Sequence, residues 1–381
     1  MKPPLRTIAS QPSWVLRTKD VELAVTQLGG HMAPVVFYRR RRPIQPYYVN
    51  PWHDEGLKID DPVLVPLRGD FFCLPFGAGG EFRRRFHHTH GEPATGKWTF
   101  VAADKCGKVT LLVLTMTTRQ PPGKVTKRLM LVEGEQAVYD QHVLEGFSGA
   151  YPIGHHATLA MPQEHETVLV ATSPIRFGMT NPTPTGDPCR GRYQALATNK
   201  RFRSLSRVPL IWDQPRYGDC SSFPARRGFT DILGVFSEPV SPAWTAATYV
   251  KEGFLWFSLK DPSVLPMTLM WMANCGRHDS PWNGRERCLG LEDVRAFFAT
   301  GLGPSVRPNS LSRMGIPTTI KLSPGRPTTI NYIQGVVKTP PSFGRVRTAR
   351  FTRGSVTFIS ESGKTATSPV RYEFLTTGRF D

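Results

Sequence analysis

The chain has 381 residues, 39% of them hydrophobic, and a formal net charge of +18. That length and apolar fraction exclude a small disulfide-stapled module or a disordered chain, and allow one large β domain or two ordinary ones. Pro (35) and Gly (34) are both abundant while long helical periods are scarce, which points to many strands joined by turns.

The charge is unevenly spread. From Gly303 onward, 12 Lys/Arg stand against 3 Asp/Glu, a surplus of +9. Such a balance suits anionic partners, such as nucleic acid, acidic glycans or sugar phosphates, or a solvated basic surface with no partner at all. No RRM-like or zinc-finger pattern accompanies it, so nucleic acid is not the expected partner. The six cysteines form no CxxC pair and no zinc-site spacing, and read as packed, reduced thiols that favour the cytosol. Met1 to Arg17 lacks the apolar stretch of a signal peptide, and no window approaches a membrane span.

In chain order, residues 1–20 read as irregular, with Pro3, Pro4 and Pro12. Strand-like segments begin at Val21–Val25 and Met32–Tyr38, and Arg39–Arg42 ends the second as a polyanion patch or an exposed charged loop. Val63–Leu67 reads as a strand, and Val125–Val132 with Gln136–Gln141 as a hairpin. Residues 176–230, rich in Pro, Gly and Arg, read as long loops with a few short strands, and long loops often carry function. Phe254–Leu259 continues the strands, Leu291–Leu302 allows a short helix, and Pro317–Val337 returns to strand. Ser355–Ile359 and Val370–Phe374 are short strand candidates in the basic tail. The expected organisation is an irregular segment 1–20, a large β sandwich over 21–338 and a basic extension over 339–381.

Three motifs carry candidate chemistry. Arg68-Gly69-Asp70 offers a guanidinium fork for hydroxyls or anions, or a surface ion pair. His90-Gly91 follows an Arg83–Arg85 run. Gly154-His155-His156 opens a strand, where neighbouring side chains point to opposite faces, so one imidazole of the pair enters any given cleft. A histidine titrating near neutrality suits a general acid or base. Leu289-Gly290-Leu291-Glu292 ends a short apolar run with a carboxylate, which is a base or, alternatively, a helix N-terminal acid. Trp271 and Trp282 are candidates to stack on pyranose faces, or core residues. The histidines have no metal-site spacing, so neither metal nor cofactor is expected.

These motifs, in this order, resemble the galactose mutarotase-like superfamily. Arg68 to Gly77, with His90-Gly91 and Trp98 behind, is similar to the first motif region of hexose-6-phosphate mutarotases and their aldose 1-epimerase relatives. Gly154-His155-His156 resembles the segment with the family's second histidine, aligned at His156, and Leu289–Glu292 its catalytic-base segment. The resemblance covers about residues 20–337. It implies a β-supersandwich of large, mostly antiparallel sheets and interconversion of sugar anomers without a cofactor. In that reaction His156 serves the ring oxygen, Glu292 takes the anomeric proton, and His90 and Arg68 bind the sugar. His155, Asp219 and Trp282 are further candidates for substrate contact, and Asp231 is a candidate by position. The chain departs from the family pattern after His90-Gly91, where Glu92-Pro93-Ala94 replaces a segment ending in arginine. The substrate expected is a sugar or a phosphorylated, sulfated or uronic derivative. The alternative is a non-catalytic carbohydrate-binding protein on the same fold.

Overall fold

The computed structural model describes residues 4–380. Two large antiparallel sheets face one another. The nine-stranded sheet runs Ser222–Phe223, Val168–Thr172, Ala243–Tyr249, Phe254–Lys260, Thr328–Lys338, Ala137–Glu145, Pro122–Val132, Val109–Arg119 and Thr99–Cys106. The eight-stranded sheet runs Arg201–Phe202, Ile175–Thr180, Phe229–Ser237, Met267–Asn274, Arg287–Arg295, Ile153–His155 and Phe72–Cys73, with Thr158–Ala160 also paired to Arg287–Arg295.

The alternation of side chains sorts the core into three layers. In Met267–Asn274, Met270 and Met272 join the cluster between the sheets, while Leu269, Trp271 and Ala273 join a second cluster on the far face with Phe71, Phe76 and Trp282. Because both faces are covered, the strand is buried throughout and reads as an unbroken apolar run. A third cluster lies outside the nine-stranded sheet. There Tyr139, Leu255, Phe257 and Ile333 are covered by Val356, Phe358 and Phe374 from the C-terminal segment. That segment forms a three-stranded sheet, Val346–Thr352, Ser355–Ser360 and Thr365–Pro369, and Arg371 Nε reaches Glu135 Oε1 at 3.0 Å to clip it down.

Four expectations need correction. Within 4–20, Arg6–Ile8 and Gln11–Arg17 are strands, the second paired with Glu22–Thr26, so Pro12 sits in the chain's first hairpin. The remaining residues of that expectation, 1–3, lie outside the described ones. Val63–Leu67 is no strand. Pro62–Leu64 is a 3₁₀ turn, and Pro66 lacks the N–H a ladder needs. Leu291 belongs to the strand Arg287–Arg295, whose neighbour Met267–Asn274 supplies a full antiparallel ladder, and the only helical turn nearby is Leu302–Val306. Val370–Phe374 turns away from the sheet into the short helix Phe374–Thr377.

Charges are buried between the sheets. Asp293 accepts from Ser258 Oγ (2.8 Å), Tyr332 OH (2.8 Å) and Thr268 Oγ1 (2.6 Å), and pairs with Lys260 Nζ at 2.6 Å. His155 Nδ1 meets Asp70 Oδ2 at 2.9 Å with both side chains fully buried. Lys127 Nζ donates to Gly30 O at 2.7 Å. Asp140 is different: neither carboxylate oxygen has a partner among the described residues. Burial pushes it up from 3.8 to about 6, against the pull of Lys127 and His155. A raised carboxylate stabilises the fold only while protonated. Its contribution is present at low pH and is lost as pH rises through about 6, leaving a cost of up to about 3 kcal/mol. Asp140→Asn is therefore expected to withstand more urea than the wild type at about pH 8, with the gap closing by about pH 4. Equilibrium unfolding at the two pH values checks this.

Candidate active site

Glu292 sits in the strand Arg287–Arg295 between Leu291 and Asp293, both of which face the sheet interface. Alternation turns Glu292 to the far face. His156 reaches the same face by a break in the neighbouring strand. Ile153–His155 pairs with Asp293–Arg295, Thr158–Ala160 pairs with Cys288–Gly290, and Ala157 O accepts the Leu291 N–H at 2.7 Å in between. The imidazole thereby lies beside the carboxylate, His156 Nε2 to Glu292 Oε1 at 3.3 Å. Gly290 makes room: a Cβ there would stand 2.5 Å from Glu292 Oε1. The spacing Gly-Leu-Glu thus has a steric reason.

The hydrogen-bond network assigns the proton. Thr158 Oγ1 lies 3.4 Å from His156 O, to which it donates, and 3.0 Å from His156 Nδ1. A hydroxyl that donates to the carbonyl accepts from Nδ1–H, which leaves Nε2 with its lone pair toward Glu292. Burial pushes the Glu292 carboxyl well above its ordinary value, with Arg277 opposing, and pushes His156 well below 6.5, helped by His90. Glu292 then carries the proton and donates it to Nε2. The same proton moved across the contact would give a carboxylate and an imidazolium. The pair holds one transferable proton and can present either member as acid and the other as base.

Aromatic rings fix these groups. Phe71 is stacked between His31 (3.9 Å between centroids) and His156 (4.4 Å). His90 meets His156 edge-on at 4.7 Å, and desolvation lowers it to about 3. Gly77 N–H approaches His90 Nδ1 at 3.4 Å, so Nε2 is the nitrogen that carries hydrogen. The backbone of His90 takes a left-handed turn (φ 59°) into Gly91 (φ 76°), where a Cβ would strike Leu74 O at 2.0 Å. His90 is half-buried, whereas Glu292 and His156 are 2% and 5% exposed, so His90 is the most open of the three.

Other expected residues lie elsewhere. Arg68 is fully buried and donates to Pro66 O, Ile8 O and Ala9 O at 3.1, 3.0 and 2.8 Å. It straps down the first hairpin, and its guanidinium is not available to a sugar. His155 points between the sheets to Asp70, as the two-residue alternation requires. Asp219 is exposed and accepts from Ser221 N–H at 2.7 Å, shaping a turn. Asp231 accepts from the Ala195 and Leu196 N–H groups at 2.9 and 2.8 Å and organises the long loops. Trp282 is buried against Trp271 at 5.8 Å and Trp52 at 4.9 Å. Among the described residues, the donors close enough to share one ion are Asp70, Asp140 and His155, all within 4.8 Å of one another. They lie between the sheets, on the face opposite Glu292.

One residue escaped the sequence reading. The guanidinium of Arg277 lies 4.7 Å from the Trp282 ring centroid and 5.4 Å from that of Trp271, and its charge acts on Glu292. Neighbouring Arg192 takes Asp279 at 2.5 Å, while Arg277 Nε and Trp271 Nε1 are buried donors with no acceptor among the described residues. The only signal was the clustering of Trp271, Arg277 and Trp282 within a dozen positions.

No protein-family model matches the sequence, and no curated protein does. Solved structures do. A galactose mutarotase-like protein from Clostridium acetobutylicum has a TM-score of 0.57 at 11% identity, over 87% of this chain and 96% of its own. One from Lactobacillus casei has 0.54 at 10%, over 85% and 99%. A galactose mutarotase related enzyme from Lactobacillus acidophilus has 0.53 at 9%, over 86% and 98%. The fold is galactose mutarotase-like. At such identities the likeness is one of architecture, and what the site does rests on its own residues.

Thr158→Val keeps the packing but removes the partner of His156 Nδ1. It is expected to free the tautomer and lower any reaction that uses the pair by roughly tenfold, the worth of one buried hydrogen bond. The ¹⁵N shifts of the His156 ring report the tautomer change directly.

Proposed function

We propose that the protein interconverts the anomers of a sugar, with Glu292 and His156 as its acid–base pair. The observation that carries this reading is the 3.3 Å contact between the buried Glu292 carboxyl and the His156 imidazole. Anomer exchange needs one proton removed from the anomeric hydroxyl and one delivered to the ring oxygen, with no net change. Moving the shared proton to His156 leaves Glu292 as a carboxylate. Glu292 then takes the anomeric proton, His156 gives its own to the ring oxygen, and the bond between C1 and that oxygen breaks. The open-chain aldehyde rotates about C1–C2. The ring oxygen attacks the other face of the carbonyl, and both protons return. Each member ends as it began, which is what a reversible isomerisation requires. His90, with its hydrogen on Nε2, is the donor we assign to a sugar oxygen.

The unpaired Arg277 over Trp271 and Trp282 favours a sugar with an anionic substituent. A guanidinium fork matches carboxylate, sulfate or phosphate. The six cysteines are free, which supports a reducing compartment such as the cytosol. No described helix is long and apolar enough to cross a membrane.

Exchange between anomers, followed by NMR on neutral, phosphorylated and uronic sugars, tests the reading. Glu292→Gln is expected to lose about 100-fold or more of any acceleration. Binding without acceleration by the wild type would instead identify a carbohydrate-binding protein. The pH profile carries its own signature. The pair loses its proton only above the raised value of Glu292 and gains a second only below the lowered value of His156. The rate should therefore be flat through 6.5, and an inflection there would exclude the shared-proton pair. Arg277→Leu is expected to raise KM for an anionic sugar by about 10- to 100-fold while leaving KM for a neutral one unchanged, the range for a charge-assisted contact.

A further inference from the structure

The loops joining Ile175–Thr180 to Phe229–Ser237 build a second concave feature. It is a cavity of about 580 Å³ walled by Lys200, Arg201, Arg203, Arg207 and Arg216, with Asp213 as its one acidic residue. A neighbouring cavity of about 510 Å³ shares Arg201 and Arg203 and adds Arg176. In the same loops Arg190 and Arg192 are both matched by Asp279. The six cations of the groove have no ion-pair partner among the described residues. We propose that this groove is a binding site for the charged groups of an anionic glycan chain, separate from the Glu292–His156 pair.

The walls are preformed. Val208–Pro209 pairs with Tyr217–Gly218, Leu196 bridges Leu210, and Leu205 and Val208 are anchored in the core between the sheets. A ligand therefore meets a backbone already in place, and only the exposed side chains need ordering. Six like charges around two adjoining depressions repel one another, so an anion that neutralises them stabilises the folded state. Planar guanidinium forks fit sulfate, carboxylate or phosphate oxygens.

The aromatic residues decide between classes of polyanion. Single-stranded nucleic acid is held by stacking its bases on open aromatic faces. Here the guanidinium of Arg207 lies 4.2 Å from the centroid of Tyr217, and that of Arg226 lies 4.9 Å from Trp212. The groove thus presents charge where a base would need a bare ring. A polymer whose anionic groups project from a backbone without bases fits it, and its assignment as a glycan rests on the carbohydrate reading of the Glu292 site.

The test uses the full chain and three probes: sulfated dextran oligosaccharides, oligogalacturonate and a single-stranded oligo-dT, titrated at physiological salt. Two triple variants of equal charge are compared. One changes the groove, R203Q/R207Q/R216Q, and the other the exposed arginines of the C-terminal sheet, R347Q/R350Q/R353Q. The groove variant is expected to lose about tenfold or more in affinity for one or both anionic glycans, with the control within about twofold of wild type. The single substitution Arg207→Glu should give a loss in the same direction if the triple variant unfolds early. Anomeric exchange on a monosaccharide should be unchanged in all three, which separates failure of this inference from failure of the isomerase reading. Equal losses in both triple variants would reduce the effect to net charge and overturn the site. So would tighter binding of oligo-dT than of either glycan, or no binding of the glycans by the wild type.

Discussion

The buried carboxylate of Asp293 fixes the register on which the site depends. Its partners come from both sheets: Ser258 and Lys260 from one strand of the nine-stranded sheet, Tyr332 from the next, and Thr268 from the eight-stranded sheet. A charge taken out of water is tolerable only when it is matched in this way, and removing its partners would leave several kcal/mol uncompensated. A slip of one residue in Arg287–Arg295 would turn Glu292 into the sheet interface, where Lys260 and three hydroxyls wait for a different carboxylate, and would turn Asp293 toward His156. The adjacent acids Glu292-Asp293 are therefore one device. Asp293 reads the register, and Glu292 uses it.

The same division governs His155-His156. His155 meets Asp70 between the sheets, and His156 meets Glu292 outside them. Period-two alternation made that split legible in the sequence, along with the antiparallel sheets and the hairpin Val125–Val132 with Ala137–Glu145. Which arginine faces the site was not legible, because nothing in Arg68-Gly69-Asp70 says whether a guanidinium meets solvent or three carbonyls of the first hairpin. Arg277 was hidden for the converse reason. It follows the end of a strand, and its setting is created by Trp282 and Trp271, which meet only once the chain is folded. Long-range contacts also explain the strand over Leu291, where a partner strand outweighs the local helical signal.

The net charge of +18 divides into roles that composition could not separate. Arg68 and Lys127 are interior donors to backbone carbonyls, Arg371 clips the C-terminal sheet, and the charge of Arg277 acts on Glu292. The surplus counted near the C-terminus belongs largely to an outer sheet whose apolar side covers Tyr139 and Phe257. That segment is a lid on the core as much as a basic surface.

The departures from the family pattern and the unpaired arginine bear on each other. After His90-Gly91 the chain carries Glu92, which accepts from the Arg119 and Gln120 N–H groups and so ties a neighbouring turn. Together with the withdrawal of Arg68, this leaves His90 without a cation from the first motif beside it. In the proposed reaction the cation comes instead from Arg277, on the side of Glu292. A positive charge there does two things at once. It lowers the cost of a Glu292 carboxylate, against the burial that favours the protonated form, and it attracts an anionic substituent to the same side of the ring. Binding such a substituent would in turn weaken the help Arg277 gives to the carboxylate. Glu292 takes the anomeric proton only after its own has passed to His156, so a charged substituent on Arg277 raises the cost of that first transfer, whereas a neutral sugar leaves the help of Arg277 to the carboxylate intact.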